Sequence, residues 1–259
     1  MLQKLLSSLI IILLVGCSEE APKKIAKTKA VPTPQKKEAP KKVVPQYDLI
    51  TNENVVERLT KYGEENPETI ADIYTTKGKI RIRLYKDTPL HRANFVLLAK
   101  KGYYNGCLFS RVVENFMAQF GGSYDEEQKE IQKTIGHYTI PAEMKHSRFH
   151  KQGAIAAARS YINNPKKRSA MDELYFVEGN QFSDITLDKY EIENNYKFSK
   201  AQRAYYLKHP GAAHIDGEHT VFGEIIQGYS VVPKLTHVVT DTQDWPNVDM
   251  YIDSVILIR

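Results

Sequence analysis

Short segments of alternating apolar and polar residues run through most of this 259-residue chain, and they restrict its fold more than any other feature. In residues 79–84, every second residue is Ile or Leu and the others are Lys or Arg, the pattern of a strand buried on one face. Strands this short, connected by turn residues, favour a closed β-barrel over βαβ units, which need long crossover connections. We predict strands at residues 71–76, 79–84, 108–113, 116–120, 153–158, 174–177, 220–225 and 250–258.

Helical spacing of apolar residues appears at three places beside these strands. Residues 52–66 carry Val, Leu and Tyr at helical intervals, and residues 88–102 begin with Thr88-Pro89 and end at Gly102. A third, short helix is predicted at residues 230–235. Helices therefore lie before the strands and between them, where they can cap a barrel.

Residues 180–211 stand apart because they are polar, rich in Tyr and helix-like between two strands. Ser199 and Gln202 have the spacing of a capping box, which predicts the start of a helix. We expect a helical insertion over one rim of the barrel. Because loops tolerate changes in length at a low cost in closure entropy, we also expect the domain to fold without it.

The first 16 residues resemble a secretory signal peptide, with Lys4 near the start and an apolar run that is too short to cross a bilayer of about 30 Å. The run ends in Leu14-Val15-Gly16-Cys17, which resembles the lipobox of bacterial lipoproteins, where cleavage precedes a Cys that carries lipid. The alternative is an ordinary signal anchor with a buried Cys17. The lipoprotein interpretation predicts a protein of the bacterial cell envelope that Cys17 anchors in the outer membrane.

The segment after Cys17 is a tether. Residues 18–46 contain five Pro, eight Lys and no aromatic residue, so they cannot form a core. Residues 48–259 contain 27 basic and 28 acidic residues, which means that the positive charge of the chain lies in the tether. We therefore expect no nucleic-acid partner. The tether is a spacer or, alternatively, a basic arm that contacts anionic lipid or polymer.

The most specific spacing is in residues 108–122, which read LFSRVVENFMAQFGG. Arg111 is followed there by Phe116-Met117, by Gln119 and by a pair of Gly, which is similar to the signature of cyclophilin-type peptidyl-prolyl isomerases. Three further segments resemble the same family, in the same order along the chain: residues 78–104, 149–159 and 214–223.

This resemblance implies a mainly β fold, a closed eight-stranded cyclophilin-like β-barrel capped by helices, with an N-terminal helix and a helical insertion. The predicted parts of the chain are a signal peptide (1–16), a lipidated Cys and tether (17–47), a helical extension (48–70) and a cyclophilin-like domain (71–259) interrupted at about 180–211.

The resemblance also implies a site that turns X–Pro bonds, a reaction with a barrier of about 18–20 kcal/mol that amide resonance sets. An Arg of the family donates a hydrogen bond to the prolyl nitrogen and weakens this resonance, a role that falls to Arg111 here. The other implied site residues form the proline pocket, hold the substrate main chain or lie at the pocket edge. They are Phe116, Met117, Gln119, Ala158, Glu173, Tyr175, His214, Ile215 and His219.

Some residues depart from the family pattern. Glu173 stands where the family has Gln, and we expect this acid to lie near Arg111 and either to position or to sequester its guanidinium. Met171 stands in place of a Gly, and His214 where many members have an aromatic residue. Glu173 and Met171 favour an alternative, a low-activity binding module for proline-containing segments that serves as a chaperone or scaffold.

We predict an isomerase that acts on proline-containing, exported polypeptides, with no cofactor and no metal. A second alternative, a structural lipoprotein that binds polymer or lipid, would use only the tether. The remaining histidines lack the spacing of metal ligands, and we interpret them as surface residues. They are His91, His137, His146, His150, His209 and His237.

Overall fold

The computed structural model describes residues 48–259, and its largest element is a sheet of eight antiparallel strands. These strands are β1 (Ile70–Thr75), β2 (Gly78–Leu84), β3 (Phe109–Val113), β4 (Met117–Phe120), β6 (Ala154–Ala157), β8 (Leu174–Val177), β9 (Val221–Gln227) and β10 (Ile252–Ile258). They lie in the order β10-β1-β2-β9-β6-β8-β4-β3. Two short strands, β5 (Thr139–Ile140) and β7 (Ser169–Ala170), pair with each other outside this sheet. The mainly β class and the eight predicted strands are confirmed.

The sheet is open, and the prediction of a closed barrel is wrong in this respect. Its edges β3 and β10 are joined at one end, where Leu108 forms an isolated bridge with Tyr251 and backbone hydrogen bonds connect residues 106–109 with residues 250–252. Further along β3, the N–H of Val112 donates to the C=O of Asp244, at 2.9 Å. Because Asp244 belongs to the loop that precedes β10, this loop borders β3 where a closed barrel would have a strand.

Within residues 48–259, six α-helices accompany the strands. They are α1 (Val55–Glu65), α2 (Pro89–Lys100), α3 (Glu126–Ile135), α4 (Asp184–Glu193), α5 (Lys200–Tyr206) and α6 (Val231–Thr236), and a 3₁₀ turn covers Ala213–Ile215. Helices α1, α2 and α6 and the capping box of α5 agree with the sequence analysis. Helix α3 was not predicted, because most of its residues are polar; Asp125 caps it by accepting from the N–H of Gln128.

The main core is one cluster of buried apolar residues shared by the sheet and four helices, among them α3 through Ile135. Leu59 of α1, Phe95 of α2 and Leu235 of α6 contribute to it, together with the inner residues of the strands. Cys107, just before β3, is also part of this core and is 2% exposed. The helix at the start of the described region is therefore packed into the domain, since Leu59 is fully buried.

The insertion between β8 and β9 has a small apolar cluster of its own, built on Leu187, Tyr206 and Ala213. It is nevertheless joined to the sheet, because the backbones of Asn180 and Gly211 bond to each other and Gly211 also bridges Lys151. Gln202 and Tyr206 of α5 are fully buried. The insertion thus makes buried contacts with the rest of the domain.

The predicted signal peptide, Cys17 and the tether lie outside the described residues. Within residues 48–259, none of the helices combines the length and apolar character needed to cross a membrane.

Candidate active site

Neighbouring strands place several predicted site residues in one row on the same face of the sheet. Arg111 in β3 lies opposite Gln119 in β4, and Gln119 lies opposite Tyr175 in β8. Tyr175 in turn lies opposite Ala156 in β6. Residues directly opposite each other on adjacent strands point to the same face. Strand register therefore brings together side chains that are far apart in the sequence.

The sheet separates this row from the main core. Ala118 and Phe176, which alternate with the row, belong to the core cluster, whereas Met117 and Tyr175 belong to a second apolar cluster. The strands β6 and β8 are thus buried on both faces, which agrees with their short, continuous apolar sequences, whereas β4 is interrupted by the half-buried Gln119. The second cluster forms an apolar floor on the outer side of the sheet.

A cavity of about 360 Å³ lies over this floor. All ten residues that the resemblance implied for the site line it, and they are joined by Arg159 and Tyr161, for which the sequence analysis gave no role. The lining residues are Arg111, Phe116, Met117, Gln119, Ala158, Arg159, Tyr161, Glu173, Tyr175, His214, Ile215 and His219. The cavity has an apolar side, where the rings of Phe116 and His214 are 4.7 Å apart, and a polar side around Arg111 and Gln119.

Asp244 is the ion-pair partner of Arg111. Its Oδ2 accepts from Nε at 3.0 Å and from Nη2 at 2.9 Å, and both side chains are about two-fifths exposed, at 44% and 40%. The expectation that Glu173 pairs with Arg111 is wrong: in the described chain, no salt bridge joins them. Because the pair with Asp244 is exposed to solvent, it contributes about 0–1 kcal/mol and holds the guanidinium only weakly.

Glu173 reaches the cavity because the backbone packs closely beside it. Gly121, at the end of β4, has a φ of +97°, and a Cβ there would lie 1.9 Å from the carbonyl oxygen of Asp172. Only Gly allows this approach. Burial, and secondarily the neighbouring carboxylate of Asp172, raises the pKa of Glu173. The acid in the cavity is thus more readily protonated than an ordinary Glu.

His219 is held at the cavity edge in its neutral form. Its Nδ1–H donates to the C=O of Ala157 at 3.1 Å, so Nε2 accepts from the hydroxyl of Tyr161 at 2.8 Å. Burial, and then the nearby His150, lowers the pKa of His219 to about 3. Burial likewise lowers the pKa of His214. Both histidines therefore act as neutral, largely apolar walls at neutral pH.

The match to a known family covers the strands and loops that build this cavity. The model of the family "Cyclophilin type peptidyl-prolyl cis-trans isomerase/CLD" matches residues 70–256. The chain belongs to this family. Its domain is therefore a cyclophilin-type peptidyl-prolyl cis-trans isomerase.

Individual relatives agree with the family match. A peptidyl-prolyl cis-trans isomerase of Helicobacter pylori is 34% identical over 169 residues, which cover 64% of this chain and 78% of the relative. A putative bifunctional phosphatase/peptidyl-prolyl cis-trans isomerase of Streptococcus pyogenes is 30% identical over 186 residues; the match covers 71% of this cyclophilin but 37% of that protein. The crystal structure of a Cryptosporidium parvum cyclophilin with the dipeptide Ala-Pro has a TM-score of 0.52 at 15% identity and covers 73% of this chain and 99% of its own.

Two histidines of this cyclophilin that we interpreted as surface residues are buried. His91 is 2% and His150 is 1% exposed, and each is bonded to a carboxylate. His150 lies directly behind the cavity, since its Nε2 is 3.0 Å from the hydroxyl of Tyr175. The signal available in the sequence was its place four residues before β6, in a segment already assigned to the family.

Arg159 and Tyr161 form the second part of the site that the sequence analysis missed. The guanidinium of Arg159 lies 4.0 Å from the centre of the Tyr161 ring, and Glu218 binds the same guanidinium. Arg159 is thereby held along the cavity wall, since its side chain is 5% exposed. Within residues 48–259, no group of three or more His, Cys, Asp or Glu is arranged to hold a metal ion.

Proposed function

We propose that this cyclophilin isomerises X–Pro bonds in exported polypeptides while lipidated Cys17 anchors it to the cell envelope, in the outer membrane. The observation that carries the catalytic part is the cavity of about 360 Å³, in which an apolar floor lies beside an exposed guanidinium. The observation that carries the anchoring part is the sequence Leu14-Val15-Gly16-Cys17 at the end of an apolar run.

The apolar side of the cavity suits a proline ring. Phe116, Met117 and Ile215 provide its surface, and the neutral His219 lies at its edge. Holding the ring here while the preceding carbonyl rotates fixes one end of the bond that must turn. Binding of this kind lowers the barrier only where the contacts are better in the twisted state than in either planar isomer.

The polar side offers groups for the main chain around the proline. Gln119 contributes its amide. Both backbone groups of Ala158 are engaged, since its N–H donates to Glu173 and its C=O accepts from Ala170. In the neighbouring Arg159, neither the backbone N–H nor the C=O has a hydrogen-bond partner among the described residues. We therefore assign the main-chain contact to Arg159, next to the Ala158 position expected from the sequence.

Arg111 supplies the electrostatic part of catalysis. Asp244 binds its Nε and Nη2, and Nη1 makes no hydrogen bond within residues 48–259. A donor at this position can bond the lone pair of a pyramidal prolyl nitrogen. This bond exists only in the twisted state, because resonance withdraws the lone pair in both planar isomers.

The test is a protease-coupled assay on a prolyl tetrapeptide with the full chain and its Arg111→Ala variant. We expect kcat/KM to fall by two to three decades, or about 3–4 kcal/mol of barrier. Arg83→Ala is the matched control, because Arg83 is an exposed, ion-paired Arg on β2. Its activity should equal that of the wild type.

Peptide binding separates the isomerase from the binding module. Trp245 is the only Trp in the chain and follows Asp244, so its fluorescence can follow binding near Arg111. We expect Arg111→Ala to bind the peptide nearly as well as the wild type, because the apolar floor remains. If both proteins bind the peptide and both are inactive, the binding module is correct and the isomerase proposal fails.

Anchoring is tested by labelling with a fatty acid and separating the inner and outer membranes. Cys17→Ala should lose the label and leave the membrane fraction. Cys107→Ala is the matched control, since Cys107 is the only other Cys and is buried in the domain. Equal label in wild type and Cys17→Ala would contradict the lipoprotein proposal and leave the isomerase proposal intact.

A further inference from the structure

A carboxylate behind the cavity is bonded by four donors. Asp216, at the end of the 3₁₀ turn, is 1% exposed. Its Oδ1 accepts from the backbone N–H of His150 at 2.9 Å and from His150 Nδ1 at 2.7 Å. Its Oδ2 accepts from the hydroxyl of Tyr206 at 2.8 Å and from Nε2 of Gln202 at 3.3 Å. Such a set satisfies a buried carboxylate and fixes its orientation.

The carboxylate determines which nitrogen of the His150 imidazole donates a hydrogen bond and which one accepts. Asp216 can only accept, so Nδ1 carries a proton, and in the neutral ring Nε2 is an acceptor. Nε2 then receives the hydroxyl proton of Tyr175 at 3.0 Å. The rings of His150 and Tyr175 are nearly parallel, with an interplanar angle of 9°.

Tyr175 is where this chain of hydrogen bonds meets the substrate cavity. It lines the cavity, and its ring makes an edge contact with His219 at 5.7 Å between centroids. The strand register fixes the backbone of Tyr175 opposite Gln119 and Ala156. The bond to His150 fixes the position of its hydroxyl and therefore of its ring. A shift of the imidazole would therefore move the wall against which a proline ring packs.

The other end of this chain of hydrogen bonds lies in the insertion. Tyr206 and Gln202 lie in α5, are fully buried and supply two of the four donors to Asp216. The backbone of His150 is tied to the same region, since its C=O accepts from the N–H of Ala212 at 2.8 Å. The insertion thus bonds the carboxylate that orients the His150 ring, and the residue that follows the insertion bonds the His150 backbone.

We infer that Asp216 and His150 are positioning residues of the isomerase, and that helix α5 of the insertion sets the Tyr175 wall of the cavity through them. Neither residue lines the cavity, and the hydrogen bond between His150 and the hydroxyl of Tyr175 connects them to it. This inference deepens the proposed function, because it assigns to the insertion a part in the geometry of the same site.

A double-mutant cycle tests this connection, because each substitution removes only a hydroxyl. The variants of the full chain are Tyr206→Phe, Tyr175→Phe and the two combined, assayed for kcat/KM and for the Kd of a prolyl tetrapeptide. We expect each single variant to lower kcat/KM by about three- to tenfold, and the double variant to be no worse than Tyr175→Phe alone. Multiplicative effects in the double variant would overturn the inference.

Two further variants separate positioning from packing. Tyr205→Phe is the matched control, since Tyr205 lies on the same helix with its ring against Tyr206, but its hydroxyl does not bond Asp216. It should behave as the wild type. His150→Asn retains a donor toward Asp216 but has no group at the Nε2 position, so it should match Tyr175→Phe. A lower unfolding free energy with unchanged kcat/KM and Kd in Tyr206→Phe would show a merely structural role and overturn the inference.

The same measurements distinguish this inference from the proposed function. If the wild type binds the peptide but does not turn it over, the proposed function fails, and the cycle is read from Kd. Coupled Kd values would then still support the positioning role, and independent Kd values would still overturn it.

Discussion

Two buried histidines of this cyclophilin have nearly the same surroundings but lead to different parts of the molecule. Nδ1 of His91 is 2.7 Å from Oε2 of Glu143, which also accepts from the backbone N–H of His91 at 3.0 Å. Nδ1 of His150 is 2.7 Å from Asp216, which accepts from the backbone N–H of His150 at 2.9 Å. On the far side, His91 meets the hydroxyl of Ser169 at 2.9 Å, and His150 meets that of Tyr175 at 3.0 Å.

The two chains of hydrogen bonds differ in the residue at which each one ends. Ser169 is 1% exposed and lies in the two-stranded sheet, whereas Tyr175 lines the cavity. Glu143 also accepts from the N–H of Leu90, so it caps α2, whose N-cap residue Thr88 makes no side-chain capping bond. The comparison teaches that a buried carboxylate, imidazole and hydroxyl first stabilise a fold. Only the chain whose last residue touches the substrate cavity can affect function.

The strongest test of this comparison removes the histidine that is remote from the cavity. His91→Ala leaves Glu143 and Ser169 without their shared partner, so we expect the unfolding free energy to fall by about 3 kcal/mol. The kcat/KM of the folded variant should be unchanged. Urea unfolding and the prolyl assay measure the two quantities, with His237→Ala as the half-exposed control. A loss of activity without a loss of stability in His91→Ala would show that the hydrogen bonds of His91 also affect function.

A second test uses pH and the half-buried His219, whose two hydrogen-bond partners are the C=O of Ala157 and the hydroxyl of Tyr161. The pKa of His219 in the folded protein, about 3, is below its ordinary value, so the unfolded chain binds the extra proton. Stability from this group is complete above pH 6.5 and is lost as pH falls toward 3. Between pH 7 and pH 4, we expect wild type to lose about 3 kcal/mol more than His219→Gln. If the unfolding free energies of the two proteins change in parallel with pH, His219 is not held in its neutral form.

The sharpest comparison removes the terminal hydroxyl of each chain. Ser169→Ala and Tyr175→Phe each delete one buried hydrogen bond, so both should lower the unfolding free energy by about 1 kcal/mol. Only Tyr175→Phe should also lower kcat/KM. Thermal unfolding and the prolyl assay on the two variants decide the matter. If the two variants have similar kcat/KM, contact with the cavity does not distinguish Tyr175 from Ser169 in function.

The smallest effect is expected at the exposed ion pair. Asp244→Asn removes the charge that holds Arg111, but both side chains are about two-fifths exposed. We expect kcat/KM to change by less than about threefold and the unfolding free energy by less than about 1 kcal/mol. Activity measured at low and high salt should show whether Asp244 restrains Arg111. A tenfold or larger change in kcat/KM would mean that this exposed pair controls catalysis more than the buried chains do.

The strand pattern could be predicted because burial leaves a direct mark on sequence. Residues 174–177 are apolar at every position, and the structure gives β8 the same limits because both of its faces are covered. Helix α3 left a weaker mark: two of its ten residues, Gln128 and Ile135, are buried, and its cap at Asp125 is a single side-chain bond. Local spacing can show a buried face but not a helix that lies mostly in solvent.

The site residues could be named from the sequence, but their partners could not. The spacing from Arg111 to Gln119 survives in the strands because it is fixed by one hairpin. The Arg111–Asp244 pair joins positions 133 residues apart, and it depends on a loop that takes the place of a closing strand. Arg111 thus pairs with Asp244 and not with the expected Glu173. His150 likewise bonds Asp216, which is 66 residues away, so its partner became visible only with the fold.

Cys107 is a natural chemical probe of how often the core of the domain opens. It is the only thiol within residues 48–259, it is 2% exposed, and burial raises its pKa. A thiol reagent therefore reacts with it only in molecules that have opened, and the labelling rate reports how often the core opens. Alkylation of each variant described above, followed by mass, would thus measure its opening free energy under native conditions, without urea or heat.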